Sequence, residues 1–398
     1  MINLKFLRTF LAVMERGSIS SAALAVGRAQ SAVTRSILEL EAGLGTQLFE
    51  RNVHGMLPTD MAYILQSHAE KAMAEMDHAR SIFLETFGPQ GCNLNAPVFS
   101  LAIGHTRLLI FVQLVEQRHM GMVADHLEVS QPFVSQTLRE LEQGIGVELM
   151  TRIATGMAPT ATALVLAAQA RRALAELRKA EDTIASLQLG MTGSVVIGTL
   201  SLGRIHLLPR AIARIVSDFP NVTVRTVEGT FEHLASLLHA GDLDFIMGAL
   251  RPAEHIIGLL AETLVDDQIA VVARRDHPLA NRTGIGAEDL RAARWILPPR
   301  GTSTRVLLEQ ALGRPDVPVE TADITITRDL VLQSDLLTAT SPHLLRHEID
   351  AGRMTILSVA VPFRRRGIGL IQRSNSVLSM PSKLLIDTIR NMAHEQAL

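Results

Sequence analysis

Gln30, Ser31, Thr34 and Arg35 are interleaved with Val33, Ile37 and Leu40, whose four-then-three spacing is that of a buried helical stripe. The stripe predicts a helix with one face in a core, and the four polar side chains then share its solvent face. Arginine and glutamine can make paired hydrogen bonds to guanine and adenine edges, and serine and threonine hydroxyls reach bases or phosphates. A helix bearing this set suits the major groove of DNA. Gln131, Pro132, Ser135 and Gln136 occupy the same places in a second stretch, and Arg51 and Arg152 lie at matching points further on, where they suit phosphate contact.

The match between the two stretches is part of a longer one. Offset by 101 positions, the chain aligns with itself without gaps: Phe10 on Phe111, Ala23 on Ala124, Glu39-Leu40-Glu41 on Glu140-Leu141-Glu142, Pro58-Thr59 on Pro159-Thr160, Ala72 on Ala173. Each copy reads as three short helices, a hairpin and one long helix. Ser18 is placed to cap the second helix and Thr59 the long one. The long helices carry apolar seams of about 3.5-residue period, Leu65, Ala69, Ala72, Met76, Ala79, Phe83 and Leu166, Ala170, Ala173, Leu177, Ala180, Ile184, Leu187, which call for partner helices. The connection between the copies, "GPQGCNLNAP" (88–97), is short for folding two antiparallel modules back on each other, which favours pairing between chains. Pairing within one chain is the alternative, and it makes one polypeptide a pseudo-dimer.

Beyond residue 190 short β-rich runs such as "SVVIGTL", "LDFIMGAL" and "QIAVVAR" alternate with helical stretches, the pattern of a parallel α/β domain with helices on both faces. The 398 residues allow several cores, and 47% apolar with 20% charged composition is that of a globular chain. Net charge is −2, so no global field marks a polyanionic partner and basic groups must act locally. There the copies differ: residues 4–60 hold six basic side chains against five acidic, and residues 105–161 hold four against six. The second copy should therefore bind DNA more weakly, the more so because Gln136 stands where the first has Arg35. It is better capped, with Ser130 and Pro132 where the first has Ala29 and Ser31.

One cysteine, Cys92, excludes a disulfide framework and a Cys-rich zinc site. No signal peptide or membrane-spanning run is evident, which predicts a cytoplasmic protein. His343 and His347 lie four apart on a predicted surface helix without a third ligand, and Arg364-Arg365-Arg366 reads as a solvated strand edge. Neither a phosphate loop nor a nucleophile elbow is present, so the chain reads as a non-enzyme, and no cofactor is called for.

The first module, through "GSISSAALAVGRAQSAVTRSILELEAGLGTQLFERNVHGMLPT", resembles the winged helix-turn-helix and linker helix of LysR-type transcriptional regulators. The second resembles it through "VSQPFVSQTLRELEQGIGVELMTRIATGMAPT", and the remainder, through "GSVVIGTL", "LLPRAIARIVSDFPNVTVRTVEG" and "LLHAGDLDFIMGAL", is similar to that family's effector-binding domain. The resemblance implies a multidomain α plus α/β chain. Winged helix-turn-helix modules would span residues 1–60 and 98–161, linker helices 61–87 and 162–190, and a periplasmic-binding-protein-like effector domain 191–398. Its two subdomains would be about 191–266 with 361–398, and about 267–360. By position, Thr199, Ser201, Leu202, Thr230, Thr302 and Ser341 would line the effector cleft. The implied partners are double-stranded promoter DNA, a small-molecule effector, further copies of the chain as dimer or tetramer, and RNA polymerase. Hydroxyl-rich positions with Arg204 and Arg300 nearby suggest a small organic acid. Four features depart from the family's pattern: the module is doubled, Ala29 stands where a Ser usually precedes Gln30, His119-Met120-Gly121 replaces the usual Gly-Ser cap, and neither Thr59 nor Thr160 is followed by the usual Ala-Gly.

Overall fold

The computed structural model of the chain describes residues 2–52, 55–153, 156–204, 207–361, 363, 365–374 and 376–397. The first repeat forms α1 (Leu7–Arg16), α2 (Ile19–Val26) and α3 (Gln30–Leu44), a hairpin of β1 (Phe49–Asn52) and β2 (Gly55–Pro58), and α4 (Asp60–Phe87). The second repeats the order with α5 (His105–Gln117), α6 (Met120–His126), α7 (Gln131–Ile145), β3 (Met150–Ile153), β4 (Gly156–Pro159) and α8 (Ala161–Leu189). The expected caps form: the Ser18 hydroxyl accepts from Ser21 N at 3.2 Å and Thr59 Oγ1 from Ala62 N at 3.3 Å. In the second repeat His119 Nδ1 takes the place of Ser18 Oγ, accepting from Met122 N at 3.2 Å, so the departure from a Gly-Ser cap keeps the cap's physics.

The two repeats keep one backbone with different residues. Gly17 and Gly27 end α1 and α2 in the left-handed region, at φ 65° and 63°. Their counterparts Arg118 and Glu128 hold the same conformation at 57° and 53°, with side chains that disfavour it by roughly 1 kcal/mol each. Arg118 is held there because its carbonyl accepts from Met157 N at 2.9 Å, as Gly17 O does from Met56 N, anchoring the hairpin. Arg118→Gly and Glu128→Gly should each raise the urea midpoint of unfolding, by about 0.5–1 kcal/mol of stability after the glycine's larger unfolded-state entropy. An unchanged or lower midpoint in both would show that these backbones carry no strain.

The long helices pair within one chain, which corrects the expectation of pairing between chains. Leu65, Ala69, Ala72, Met76, Ala79 and Phe83 are fully buried on α4, as are Leu166, Ala170, Ala173, Leu177, Ala180 and Ile184 on α8; only Leu187 of the expected seam is exposed. Cross-contacts run antiparallel, with His68 against Glu176 and Glu75 against Arg172. The physical reason lies in the connection, which is a folded corner rather than a tether. Asn93 donates from its backbone N to Ile145 O at 2.6 Å and from Nδ2 to Gly144 O at 2.9 Å, satisfying the carboxyl end of α7. Phe99 then sets its edge on Phe83 at 5.3 Å between centroids.

The rest of the chain folds into β5 (Gly193–Thr199), α9 (Leu207–Asp218), β6 (Val222–Glu228), α10 (Phe231–Ala240), β7 (Phe245–Ala249), β8 (Leu259–Asp267) and β9 (Ala270–Arg274). There follow α11 (Ala287–Ala292), β10 (Arg294–Leu297), α12 (Ser303–Leu312), β11 (Asp316–Glu320), α13 (Ile324–Gln333) and β12 (Leu337–Thr340). The last elements are α14 (Arg346–Asp350), β13 (Met354–Ile356), β14 (Arg366–Arg373) and α15 (Met380–Ala397). Two five-stranded sheets result, in the orders β6-β5-β7-β14-β8 and β11-β10-β12-β9-β13. The chain crosses from the first sheet to the second after β8 and returns before β14, and these two strands are antiparallel neighbours with Asp267 opposite Arg366. Arg366 is therefore buried at the crossing, 8% exposed, which corrects the solvated edge for that residue; Arg365 is exposed as expected, and Arg364 lies outside the described residues.

Where the sheets meet the paired helices, Glu176 of α8 is buried and takes three partners: His68 Nδ1 at 3.1 Å, Lys179 Nζ at 3.3 Å and Arg373 Nη2 at 2.6 Å. Burial alone raises its carboxyl pKa, but the His68 hydrogen bond and the Lys179 and Arg373 charges outweigh it and hold the group below its ordinary value. Asp182, two turns on, has less compensation, and burial pushes it up to about 6 against the opposing charge of Arg178. An acid with a raised folded pKa binds protons more tightly folded than unfolded, so its penalty grows as pH rises from about 4 through 6 and then stays constant. Asp182→Asn should raise the melting temperature at pH 8, by on the order of 1–2 kcal/mol with screening discounted, and leave it unchanged below pH 4. Melting curves across that range check this, and an equal shift at both ends would contradict it.

Among the described residues no helix is long and apolar enough to cross a membrane, and no His, Cys, Asp and Glu cluster suits a metal ion. His343 and His347 fall in different elements, a 3-10 turn at Pro342–Leu345 and α14.

Candidate functional site

Two places bring together the side chains singled out by the sequence. The first is the outer face of α3. Val33, Ile37 and Leu40 are buried as the stripe requires, and Gln30, Ser31 and Arg35 stand exposed on the other side with Thr34 half-buried. Arg35 Nε donates to Glu39 Oε1 at 2.8 Å in an exposed i, i+4 pair, a contact worth well under about 1 kcal/mol and readily exchanged for another acceptor. Arg51 lies on β1, its side chain outside the described residues.

On α7, Gln131, Pro132 and Gln136 are exposed and Ser135 half-buried. Ser130 Oγ caps the helix by accepting from Phe133 N at 3.3 Å, whereas no side chain caps α3. The polar face is more engaged than that of α3. Gln136 Nε2 donates to Glu140 Oε1 at 2.7 Å, Arg107 pairs with the same carboxylate, and the Arg107 guanidinium sits 6.0 Å from the Phe133 ring centroid. Arg152 is exposed on β3.

Sequence reasoning missed the task of the second glutamate in each "ELE". Glu41 Oε1 accepts from Leu48 N at 2.8 Å and Phe49 N at 3.3 Å, and Glu142 Oε1 from Leu149 N at 2.8 Å and Met150 N at 3.1 Å. Both carboxylates fasten a hairpin to its third helix, and their repetition at one offset was the available signal.

The second place is a cleft of about 630 Å3 between the two sheets. Ser201, Leu202, Thr230 and Thr302 line it as expected by position. Thr230 Oγ1 caps α10 by accepting from His233 N at 3.3 Å, and Thr302 Oγ1 donates to Pro299 O at 2.8 Å. Two expected residues are placed off the lining. Thr199 is buried in β5 with its hydroxyl on Val227 O at 3.4 Å, and Ser341 is buried with its hydroxyl on Asp267 Oδ1 at 2.6 Å. Arg300 is on the rim, and the Arg204 side chain lies outside the described residues.

The cleft's strongest charges were not foreseen. Arg366 lies on its lining with Nε donating to Asp267 Oδ2 at 2.9 Å and Nη1 to Ser303 Oγ at 3.1 Å and Thr304 Oγ1 at 2.5 Å. Arg251 stands over the Phe231 ring, 5.3 Å from its centroid, and burial lowers its pKa against the opposing charge of Glu232. The acidic lining residues, Glu228 and Glu232, belong to the first sheet's side, while Arg300, the α12 amino end and its uncapped first turn belong to the second's. Such a cleft can hold a small molecule by hydroxyls and orient it by charge.

Comparisons with known proteins fit both places. The family described as "Bacterial regulatory helix-turn-helix protein, lysR family" matches residues 4–63 and again residues 105–164, and "LysR substrate binding domain" matches residues 189–393. The HTH-type transcriptional regulator GalR of Pseudomonas putida is 40% identical over 400 residues, covering 99% of this chain and 98% of that protein. The HTH-type transcriptional regulator PcaQ of Agrobacterium fabrum is 28% identical over 294 residues, 72% of this chain and 94% of its own. In fold, the chain is similar to full-length OxyR from Pseudomonas aeruginosa, with TM-score 0.55 at 23% identity over 72% of this chain and 95% of that one. It is also similar to CbnR, a LysR family transcriptional regulator, with TM-score 0.52 at 19% identity over 73% and 99%.

Proposed function

The chain belongs to the LysR family of bacterial DNA-binding transcriptional regulators, and from that premise we propose that it is a sequence-specific regulator whose two readers reside in one polypeptide and answer to a small organic acid. Residues 1–60 and 98–161 serve as winged helix-turn-helix modules on linker helices 61–87 and 162–190. Residues 191–398 serve as the effector domain, with subdomains about 191–266 plus 361–398 and about 267–360. The relatives compared carry regulator names, and no enzyme activity is assigned.

One observation carries the reading: Gln30, Ser31 and Arg35 on the polar face of α3 stand exposed opposite its buried stripe, on a helix pair that sets a second, unequal unit antiparallel to it. Gln30, Ser31, Thr34 and Arg35 then meet base edges, and Arg51 a phosphate. Because the seam is satisfied internally, each chain brings two reading helices by itself, and any homo-oligomer of this chain joins through other surfaces. The effector occupies the cleft, where Ser201, Leu202, Thr230 and Thr302 surround it; Arg300 and the amino end of α12 on the second sheet's wall favour an acid over a neutral ligand. Selecting bound fragments from genomic DNA at physiological salt tests the reading. We expect a common, asymmetric site bound at least about 1,000-fold more tightly than bulk DNA, and the absence of any preferred sequence would contradict it.

A second reading concerns α7 alone. Its Gln136 is tied to Glu140 and its surroundings are net acidic, which favours a unit retained for assembly or for contact with RNA polymerase. Replacing Gln131, Ser135 and Gln136 together by alanine should then leave the DNA footprint unchanged. A shortened footprint would establish α7, with Pro132 and Arg152, as a second reader.

A further inference from the structure

We propose that Arg107 is the phosphate-binding cation of the second reader, supplied from α5 in place of the Arg35 charge that the first reader carries on its own recognition helix. This rests on the regulator reading above and adds that α7 works on DNA, held there by a side chain outside it.

The repeat makes the exchange visible position by position. In the first copy Arg35 Nε donates to Glu39 Oε1 at 2.8 Å, so one cation stands on the face of α3 beside one carboxylate. At the same offset in the second copy the carboxylate is kept as Glu140 and the cation becomes Gln136, whose Nε2 donates to Glu140 Oε1 at 2.7 Å. The other oxygen of that carboxylate, Oε2, accepts from Arg107 Nη1. Arg107 and Gln136 thus meet on a single carboxylate, which sets the guanidinium at the border of the α7 reading face. Two further differences accompany the change. Arg107 stands where the first copy has Phe6, and Phe133, in the first turn of α7, stands where the first has Ala32. The aromatic ring has moved from the amino end of the module's first helix to its third, and the guanidinium now lies 6.0 Å from its centroid.

Charge and exposure decide what this cation can do. Without Arg107, Glu140 would set an uncompensated negative charge against a duplex; with it the place is neutral, as the Arg35 and Glu39 pair is. Arg107 and Glu140 are 40% and 39% exposed, so their pairing adds less than about 1 kcal/mol to the fold and gives way readily to a phosphate. The Phe133 ring steadies the guanidinium, whose planar fork of N–H groups matches a phosphate. Because Arg107 stands beside the reading helix rather than on it, its partner is the DNA backbone, and Gln131 and Gln136 are left to meet base edges.

The test titrates the full chain on a duplex carrying one selected site, at salt concentrations from about 50 to 200 mM, with footprints taken alongside. Arg107→Gln combined with Glu140→Gln removes cation and carboxylate together and leaves the net charge unchanged. The plot of log affinity against log salt should become shallower by about 0.9, the share of one phosphate. Protection should weaken over the α7 half of the site and persist over the α3 half, which also shows that the variant is folded. Adding Gln136→Arg returns the charge to the place it holds in the first copy and should restore the slope. An unchanged slope in the double variant means that Arg107 only offsets Glu140, and overturns the proposal. A slope that falls but is not restored by Gln136→Arg reflects disturbed packing of α5 on α7, and overturns it too. A chain with no preferred site loses the regulator reading and this proposal together, whereas a preferred site with an unchanged slope removes this proposal alone.

Discussion

Replacing Thr34 and Arg35 together by alanine should lower affinity for the selected DNA site between about 30- and 1,000-fold, the loss expected for one bidentate contact and a neighbouring hydroxyl. Binding to bulk DNA should fall far less, because most of its strength comes from phosphates. The substitutions are made on an exposed face whose opposite side, Val33, Ile37 and Leu40, holds the core, so folding should survive. Among the described residues Arg35 loses its contact with Glu39, an exposed pair of small worth. Gel-shift titrations on the specific site and on mixed-sequence DNA give both numbers. Equal losses on the two would mean that α3 supplies charge rather than base reading.

Glu176→Gln should destabilise the chain by about 3–5 kcal/mol, the largest effect expected of any single substitution discussed for stability. The change keeps size and a hydrogen-bonding head but removes the negative charge that buried His68 and Lys179 share with the partly buried Arg373. Lys179 is 2% exposed and cannot turn to water, whereas Arg373, 11% exposed, keeps the Glu75 carboxylate 3.9 Å from Nη1, so the loss falls mainly on Lys179. Because Arg373 ends the strand that Arg366 begins, the loss is centred where the first sheet meets the helix pair. Urea unfolding followed by far-ultraviolet circular dichroism measures it, and a change below about 1 kcal/mol would show the cluster to be hydrated.

The repeat, its helices and the polar face of α3 were legible because each leaves a periodic trace: a fixed offset, a four-three stripe, a cap residue before it. The side chains at strand ends Ser201 and Thr230 were legible by position within a resemblance. Arg366 was not, because its burial depends on an antiparallel register with Asp267, 99 residues away, that no local pattern encodes. The run of three arginines looked like a solvated edge for the same reason. The pairing of α4 with α8 was misjudged from linker length; what decides it is Asn93 capping α7 and Phe99 meeting Phe83, both within or just after a segment that composition alone marks as loop. Thr199 carries the right chemistry but turns to the neighbouring strand, since alternation along a strand does not name the side that faces a cleft, and Ser341, just past β12, is taken by Asp267, 74 residues away, which no local pattern encodes.

The central claim is that one chain holds two unequal readers on an internally paired frame, and native mass spectrometry of the complex on a duplex carrying one selected site tests it most directly. The account predicts a species with a single chain bound across the full asymmetric site, its α3 half losing protection when Thr34 and Arg35 are replaced. A site that is occupied only by two chains, with equal halves each protected through α3, would contradict it.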